Sequence, residues 1–221
     1  MKAMILAAGR GQRLRPLTDT QPKPLVEVNN KPLLQRHIEK LLEAGFTDIV
    51  INVSWLRHKI IAFLKEHNNF NANIQISDEG DQALETGGGM FHALPLLGEQ
   101  PFLVVNGDVY TDYRFDDLES LQAQDLVSLL LVNNPEHNPS GDFCVQSGRL
   151  FASEIQATTY TYSGIGIFHP QLFKNSQSGA YSVVPLIRQA IADKQAAASV
   201  YTGLWSDVGT QERLDALNQQ K

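Results

Sequence analysis

The sequence has one cysteine, no long apolar run and a shortage of positive charge, and each scarcity removes a class of protein. Cys144 stands alone and can form no internal disulfide, which points to a reducing compartment and away from disulfide-framed secreted domains. A lone thiol reads as a small buried hydrophobe rather than a nucleophile. No stretch approaches the roughly 18 apolar residues of a membrane span. The apolar start "AMILAA" is cut by Gly9 and Arg10 before it reaches signal-peptide length. The expectation is a soluble, cytoplasmic protein without a cleaved leader and with no membrane partner. A net charge of -6 argues against a nucleic-acid partner, whose backbone calls for a basic face. The six histidines, at 37, 58, 67, 92, 137 and 169, lack metal spacing and are assigned to surface or packing. No repeat, low-complexity tract or linker interrupts the chain, so residues 1–221 are expected to form a single domain, able to bury roughly 70% of its unfolded surface.

What positive charge there is lies at one end. Residues 1–31 carry six basic groups against Asp19 and Glu27, a local +4, which leaves -10 on the remainder. That asymmetry points to a small anionic ligand near the N-terminus. The apolar runs "KAMIL", "DIVINV", "NIQIS" and "FLVVN" alternate with helical patterns. One helix is expected to open at Asn30 with Pro32 in its first turn and Gly45 past its end; others span about Trp55–Glu66 and follow Gly87–Gly89. This alternation predicts an α/β fold with a doubly wound, Rossmann-like, mixed but mostly parallel sheet. The later run "FCVQSGRLFA" predicts a hairpin turning at Ser147 and Gly148, part of a small antiparallel insertion. Further elements are the strand "SGIGIF", a helix over Val183–Ala192, the strand "ASVYT" and a last helix after Gly209.

The stretch "LAAGRGQRLRPLTDTQPKPLVEV" follows the first strand with glycines and closely spaced guanidinium groups, a combination suited to phosphate. It is not the dinucleotide fingerprint, because Leu14 stands where the third glycine is required, and no G-x-x-x-x-G-K-[ST] loop occurs. Read as a unit, G-x-G-x-R-x-x-P followed by P-K-P-L resembles the signature of the sugar-phosphate nucleotidyltransferases. Later blocks resemble that family in the same order: "ETGGG", "VVNGDVYTDY", "SGIGIFHP" and "LWSDVGT".

The resemblance implies a GT-A-like nucleotidyltransferase fold and transfer of a nucleotidyl group to a sugar 1-phosphate. The expected substrates are UTP and a hexosamine 1-phosphate, with no obligate protein partner. The N-terminal half would bind nucleotide and the C-terminal half mainly sugar phosphate. Backbone N–H groups around Ala8, Gly9, Gly11 and Gln12 would wrap the triphosphate, Arg13 would hold its outer oxygens, and Lys23, fixed between Pro22 and Pro24, would sit on the α-phosphate. Arg15 is read as structural. Asp108 and Asp207 would bind Mg²⁺, which favours hard oxygen ligands; Arg13, Lys23 and Asp108 form the catalytic set. Asp112, Asp116 and Asp117 are read as turn residues. Thr86, Gly87 and Gly88 would present free helix-start N–H groups to base or ribose, with Glu79 and Glu85 as further partners. Asn106, Asp142, Glu154, Gly164 and Trp205 would face the sugar phosphate. "SEIQATTYTYSG" has no lysine where many relatives place one, so no anchor for the acceptor phosphate is assigned. A guanylyltransferase for mannose- or heptose-type 1-phosphates, and a nucleotide-sugar sensor without turnover, remain as alternatives.

Overall fold

The first strand, β1 (Ala3–Leu6), is apolar throughout and lies in the middle of the sheet. The computed structural model describes residues 1–152 and 157–219. A short helix α1 (Leu17–Thr20) follows, then a two-residue pairing of β2 (Glu27–Val28) with β3 (Lys31–Pro32). That pairing takes up the residues at which the first long helix was expected to open: α2 spans Leu33–Glu43, with Pro32 as its N-cap. Next come β4 (Asp48–Val53), α3 (Arg57–Glu66), β5 (Asn73–Asp78), α4 (Glu85–Leu97), β6 (Phe102–Asn106), β7 (Val109–Thr111) and β8 (Val127–Val132). The hairpin β9 (Phe143–Gln146) and β10 (Arg149–Ala152) turns at Ser147 and Gly148, both at positive φ, as a two-residue I′-like turn requires. The chain continues through β11 (Thr159–Phe168), α5 (Val184–Ala192), β12 (Ala196–Tyr201), β13 (Trp205–Asp207) and α6 (Gln211–Gln219).

Nine strands form one mixed sheet in the order β5-β4-β1-β6-β11-β8-β12-β10-β9. The sheet is mixed, as expected, and its antiparallel pairings reach further into it than a small insertion would. β5, β4, β1 and β6 are parallel neighbours, as are β8 and β12, but β11 enters antiparallel to both β6 and β8. The antiparallel hairpin is also no appendage, because β10 pairs with β12 and β9 with β11. Strand direction depends on how the chain returns to the sheet, and the pattern of apolar residues in β11 carries no sign of that.

Period-two alternation makes β1 serve two cores. Ala3 and Ile5 pack with Leu34, Ile38 and Leu41 of α2 and Ile60 and Leu64 of α3, whereas Met4 packs with Met90 and Ala93 of α4 and Ile187 of α5. Each such aliphatic side chain, once fully buried, contributes roughly 2 kcal/mol. A third cluster joins Leu14, Val26, Val28 and Leu33 to Val208, Leu214 and Leu217, so α6 packs beneath the N-terminal turn. Cys144 is buried, as expected. Among the described residues, no helix is long and apolar enough to cross a membrane.

Candidate active site

Strand register sets the site. Leu6 of β1 is level with Asn52 of β4 on one side and Asn106 of β6 on the other, so three parallel strands end in one row. In open α/β sheets, the carboxyl ends of such strands are where ligands lie. A cavity of about 210 Å³ opens there, lined by residues that include Ala8, Gly9, Gly11, Lys23, Asn52, Thr86, Asn106 and Asp108.

The loop after β1 is held from several directions. Gly11 adopts the left-handed conformation (φ +66), and a Cβ there would stand 3.0 Å from Thr18 Cγ2 and 3.2 Å from Lys23 Cβ. The hydroxyl of Thr18 donates to the Gly11 carbonyl (2.8 Å), and the Trp55 indole donates to the Thr18 carbonyl (2.9 Å). Arg10 stacks 4.3 Å above the Trp55 ring, and Arg15 pairs with Asp19 at 3.0 Å. Both arginines are thus spoken for. Gln12 and Arg13 are exposed on a single 3-10 turn whose Leu14 is buried, and neither lines the cavity.

Lys23 heads a short turn between its two prolines and makes a close ion pair with Asp108. Both side chains are mostly buried, with 12% and 26% exposure. Asp207 reaches the same place from the far end of the sequence: β13 pairs antiparallel with β7, and the Val208 N–H donates to the Asp108 carbonyl (2.8 Å). Asp207 Oδ1 is buried without a hydrogen bond of good geometry, although Arg213 Nη1 lies 3.1 Å away and His137 Nε2 3.0 Å away. The backbone bond thus sets Asp108 and Asp207 on neighbouring segments, although Asp207 does not line the cavity; their oxygens are of the hard kind that could hold a divalent cation. His137, exposed as expected, also lies beside the Asp207 carboxylate. Its sequence surroundings, "NNPEHNPSGD", gave no hint of it.

Behind Asp108, α2 supports β7. Lys40 Nζ donates to the carbonyls of Thr111 (2.7 Å) and Tyr113 (3.1 Å). His37 is 2% exposed with Nε2 unpartnered; burial pushes its imidazole down to about 4, against the opposing pull of the Asp108 charge. A histidine kept neutral in the fold but protonated near 6.5 when unfolded leaves the unfolded chain holding more protons between those values. Its contribution is intact above pH 6.5 and is lost as pH falls towards 4. His37→Leu is expected to lose about 2 kcal/mol less stability than the parent between pH 7 and pH 4.5, measured by urea unfolding at both pH values.

The base side departs from expectation. The N–H groups of Gly87 and Gly88 are not free: both donate to the Tyr181 carbonyl, at 2.9 and 3.1 Å. Added Cβ atoms would meet the Tyr181 ring at Gly87 and the Gly179 carbonyl oxygen at Gly88. These glycines admit a neighbouring segment, whereas a ligand approaching them would find the donors taken. Glu79 does not line the cavity, and both its oxygens are engaged, by the Asn52 side chain (2.6 Å) and the Leu84 N–H (2.7 Å). Thr86 and Glu85 do line it.

Four of the five sugar-side residues gather around one irregularity, the register shift in β11 between Tyr162 and Ile165. Asp142 accepts from the Tyr162 N–H (2.9 Å), and the Trp205 indole donates to the Ser163 carbonyl (2.9 Å). Gly164 (φ +79) makes room for Asn106, whose amide nitrogen would be 2.6 Å from a Cβ there. Glu154 lies outside the described residues. Asn52 was missed by the sequence reading; it stands one residue from the end of a buried strand, much as Asn106 closes another, and that parallel was the available signal. Arg213 was also missed, and its place on an ordinary amphipathic helix offers no signal.

An α/β sheet with a glycine- and arginine-bearing loop at its carboxyl edge is an architecture suited to nucleotides, and the chain belongs to the nucleotidyl transferase family, whose model matches residues 2–221. It is 46% identical over 220 residues to N-acetylmuramate alpha-1-phosphate uridylyltransferase of Neisseria meningitidis, covering 97% of this chain and 95% of the relative. It is 34% identical to the protein of the same name from Caulobacter vibrioides, covering 94% and 91%. Similarity extends to mannose-1-phosphate guanyltransferase of Schizosaccharomyces pombe, 33% identical over 95% of this chain but only 61% of that protein. In structure, the chain is similar to a putative glucose-1-phosphate thymidylyltransferase from Bacillus anthracis, with TM-score 0.82 and 20% identity over 99% of this chain and 94% of that one.

Proposed function

We propose that this chain transfers UMP from UTP to N-acetylmuramic acid 1-phosphate, giving UDP-N-acetylmuramic acid and pyrophosphate, as a cytoplasmic step in peptidoglycan recycling. The observation that carries this reading is the 46% identity, over nearly the full length of both chains, to a relative named for that substrate.

In such a transfer, a phosphate oxygen of the sugar phosphate attacks the α-phosphorus of UTP. A new P–O bond forms, the bond from the α-phosphorus to the bridging oxygen breaks, and pyrophosphate leaves with the electron pair. The nucleophile is already anionic, so no general base is required; the obstacle is mutual repulsion of two polyanions. Lys23 brings a fixed positive charge to the cavity wall, and the backbone of Ala8–Gly11 supplies donors for phosphate oxygens. Asp108 and Asp207 would hold Mg²⁺, which when bound neutralises charge on the phosphate oxygens. Arg13, exposed on the turn that follows Gly11, is proposed to meet the outer phosphates. Asn106, Asp142, Gly164 and Trp205 are proposed to shape the sugar side around the β11 bulge.

The test is pyrophosphate release from UTP, GTP, dTTP, CTP and ATP, each against N-acetylmuramic acid, N-acetylglucosamine, glucose and mannose 1-phosphates with Mg²⁺. Selective turnover of UTP with the N-acetylmuramic acid phosphate is expected, stopping on chelation and returning with added Mg²⁺. Selective turnover of GTP with mannose 1-phosphate would move the substrate assignment, and no turnover with any pair would replace catalysis by nucleotide-sugar binding.

A further inference from the structure

Asn52 is 2% exposed at the floor of the cavity, and its amide is used at both ends. Oδ1 accepts from the Ala7 N–H (2.7 Å), at the root of the phosphate-type loop, and Nδ2 donates to Glu79 Oε1 (2.6 Å). Glu79 Oε2 in turn accepts from the Leu84 N–H (2.7 Å). The residue after Leu84 is Glu85, which lines the cavity and holds a left-handed backbone (φ +60) that non-glycine residues rarely adopt. One chain of hydrogen bonds therefore runs beneath the cavity from one wall to the other.

Gly89 gives an independent sign that this chain is built in. It lies inside α4, where glycine is unfavourable relative to alanine. A Cβ at that position would stand 2.6 Å from Glu79 Oε1 and 2.9 Å from Asn52 Nδ2. The helix gives up a side chain so that the Asn52–Glu79 contact can pass.

We infer that Asn52 and Glu79 are positioning residues that brace the triphosphate loop against the Leu84–Thr86 wall, and that Glu79 acts on the nucleotide through this brace without touching the base. The inference rests on the cavity being the nucleotide site proposed above. The chemistry of the pair is directional. Both partners of Glu79 are donors, so only an acceptor-only carboxylate satisfies both. Glu79→Gln turns an amide N–H toward a donor whichever way it is rotated. Asn52→Asp keeps the acceptor for Ala7 but sets one carboxylate against another. The two changes together restore complementarity with the polarity reversed: the new amide donates to the new carboxylate, and its oxygen still accepts from Leu84.

The test is a swap in the full-length protein. Each single variant is expected to raise the KM for UTP about tenfold, the scale of one mispaired buried hydrogen bond. Each should also weaken inhibition by inorganic tripolyphosphate, a probe of the phosphate loop alone, and leave the preference among UTP, CTP and GTP unchanged. The double variant is expected to return both quantities to within about threefold of the parent, the signature of coupled neighbours. A double variant no better than the worse single, or a shifted base preference with tripolyphosphate inhibition intact, would overturn the brace. Should a single variant not fold, the double decides alone, because parental UTP affinity without the Glu79 carboxylate excludes direct reading by that group. Parental protein that turns over no nucleotide overturns the proposed function itself, a result separate from an unrescued swap in a working enzyme.

Discussion

Lys23→Met is expected to lower kcat about a hundred- to a thousand-fold, the usual scale for removing one preorganised electrostatic group, while the protein stays folded. Methionine fills nearly the volume of the lysine stem, and a swap of similar shape is well tolerated in packed surroundings. The Asp108 carboxylate left behind keeps 26% of its surface open to water, which limits the cost of stranding it. A loss confined to turnover therefore separates the charge of Lys23 from its packing. Lys23→Arg is expected to recover little, because a planar fork on a different stem does not place its charge where a compact ammonium did. Steady-state kinetics with urea unfolding of the same samples checks both points. A fall in stability matching the fall in activity would reduce the Lys23–Asp108 pair to a structural contact.

Gly88→Ala is expected to invert a familiar stabilising change. Alanine in a helix interior normally gains about 1 kcal/mol over glycine, and Gly88 sits in the first turns of α4. Here the added methyl would collide with the Gly179 carbonyl oxygen, a backbone atom with no rotamer to yield. Overpacking of this kind costs typically about 1–3 kcal/mol, so a net destabilisation of about 1–2 kcal/mol is expected in urea unfolding. The segment displaced carries Tyr181, which accepts from Gly87 and Gly88 and donates to the Leu84 carbonyl. Weaker binding of UTP should accompany the loss of stability, because Thr86 and Glu85 lie on the cavity side of the same turn.

The sequence was most legible where chemistry depends on neighbours along the chain. Ala8, Gly9, Gly11 and Lys23 all lie in the short connection between β1 and β2, and they line one cavity. Asp108 follows a buried strand by two residues, so its arrival at the sheet edge could be read from "VVNGD". The ETGGG stretch shows the opposite case. Its glycines announced a close approach, but only the fold reveals that the visitor is Gly179–Ser182 from the other half of the chain. The direction of β11 and the use of His137 and Arg213 were likewise beyond local reading, since each depends on which distant segment comes to lie beside it. Glu79 stands out in the sequence as a candidate base or ribose partner, and only the fold reveals that both its oxygens accept from groups of the protein itself.

The third hydrophobic cluster has a bearing on how the enzyme comes into being. Leu14, from the turn after β1, is sealed by Val208, Leu214 and Leu217, and the second acidic residue arrives on β13, nearly a hundred residues after the first. A chain still emerging from the ribosome can bring β1, β4 and β6 together early, yet it lacks the apolar floor beneath the loop that follows β1. The seat of the N-terminal turn is therefore completed only once α6 has been made, which ties the first and last described elements into one cooperative unit.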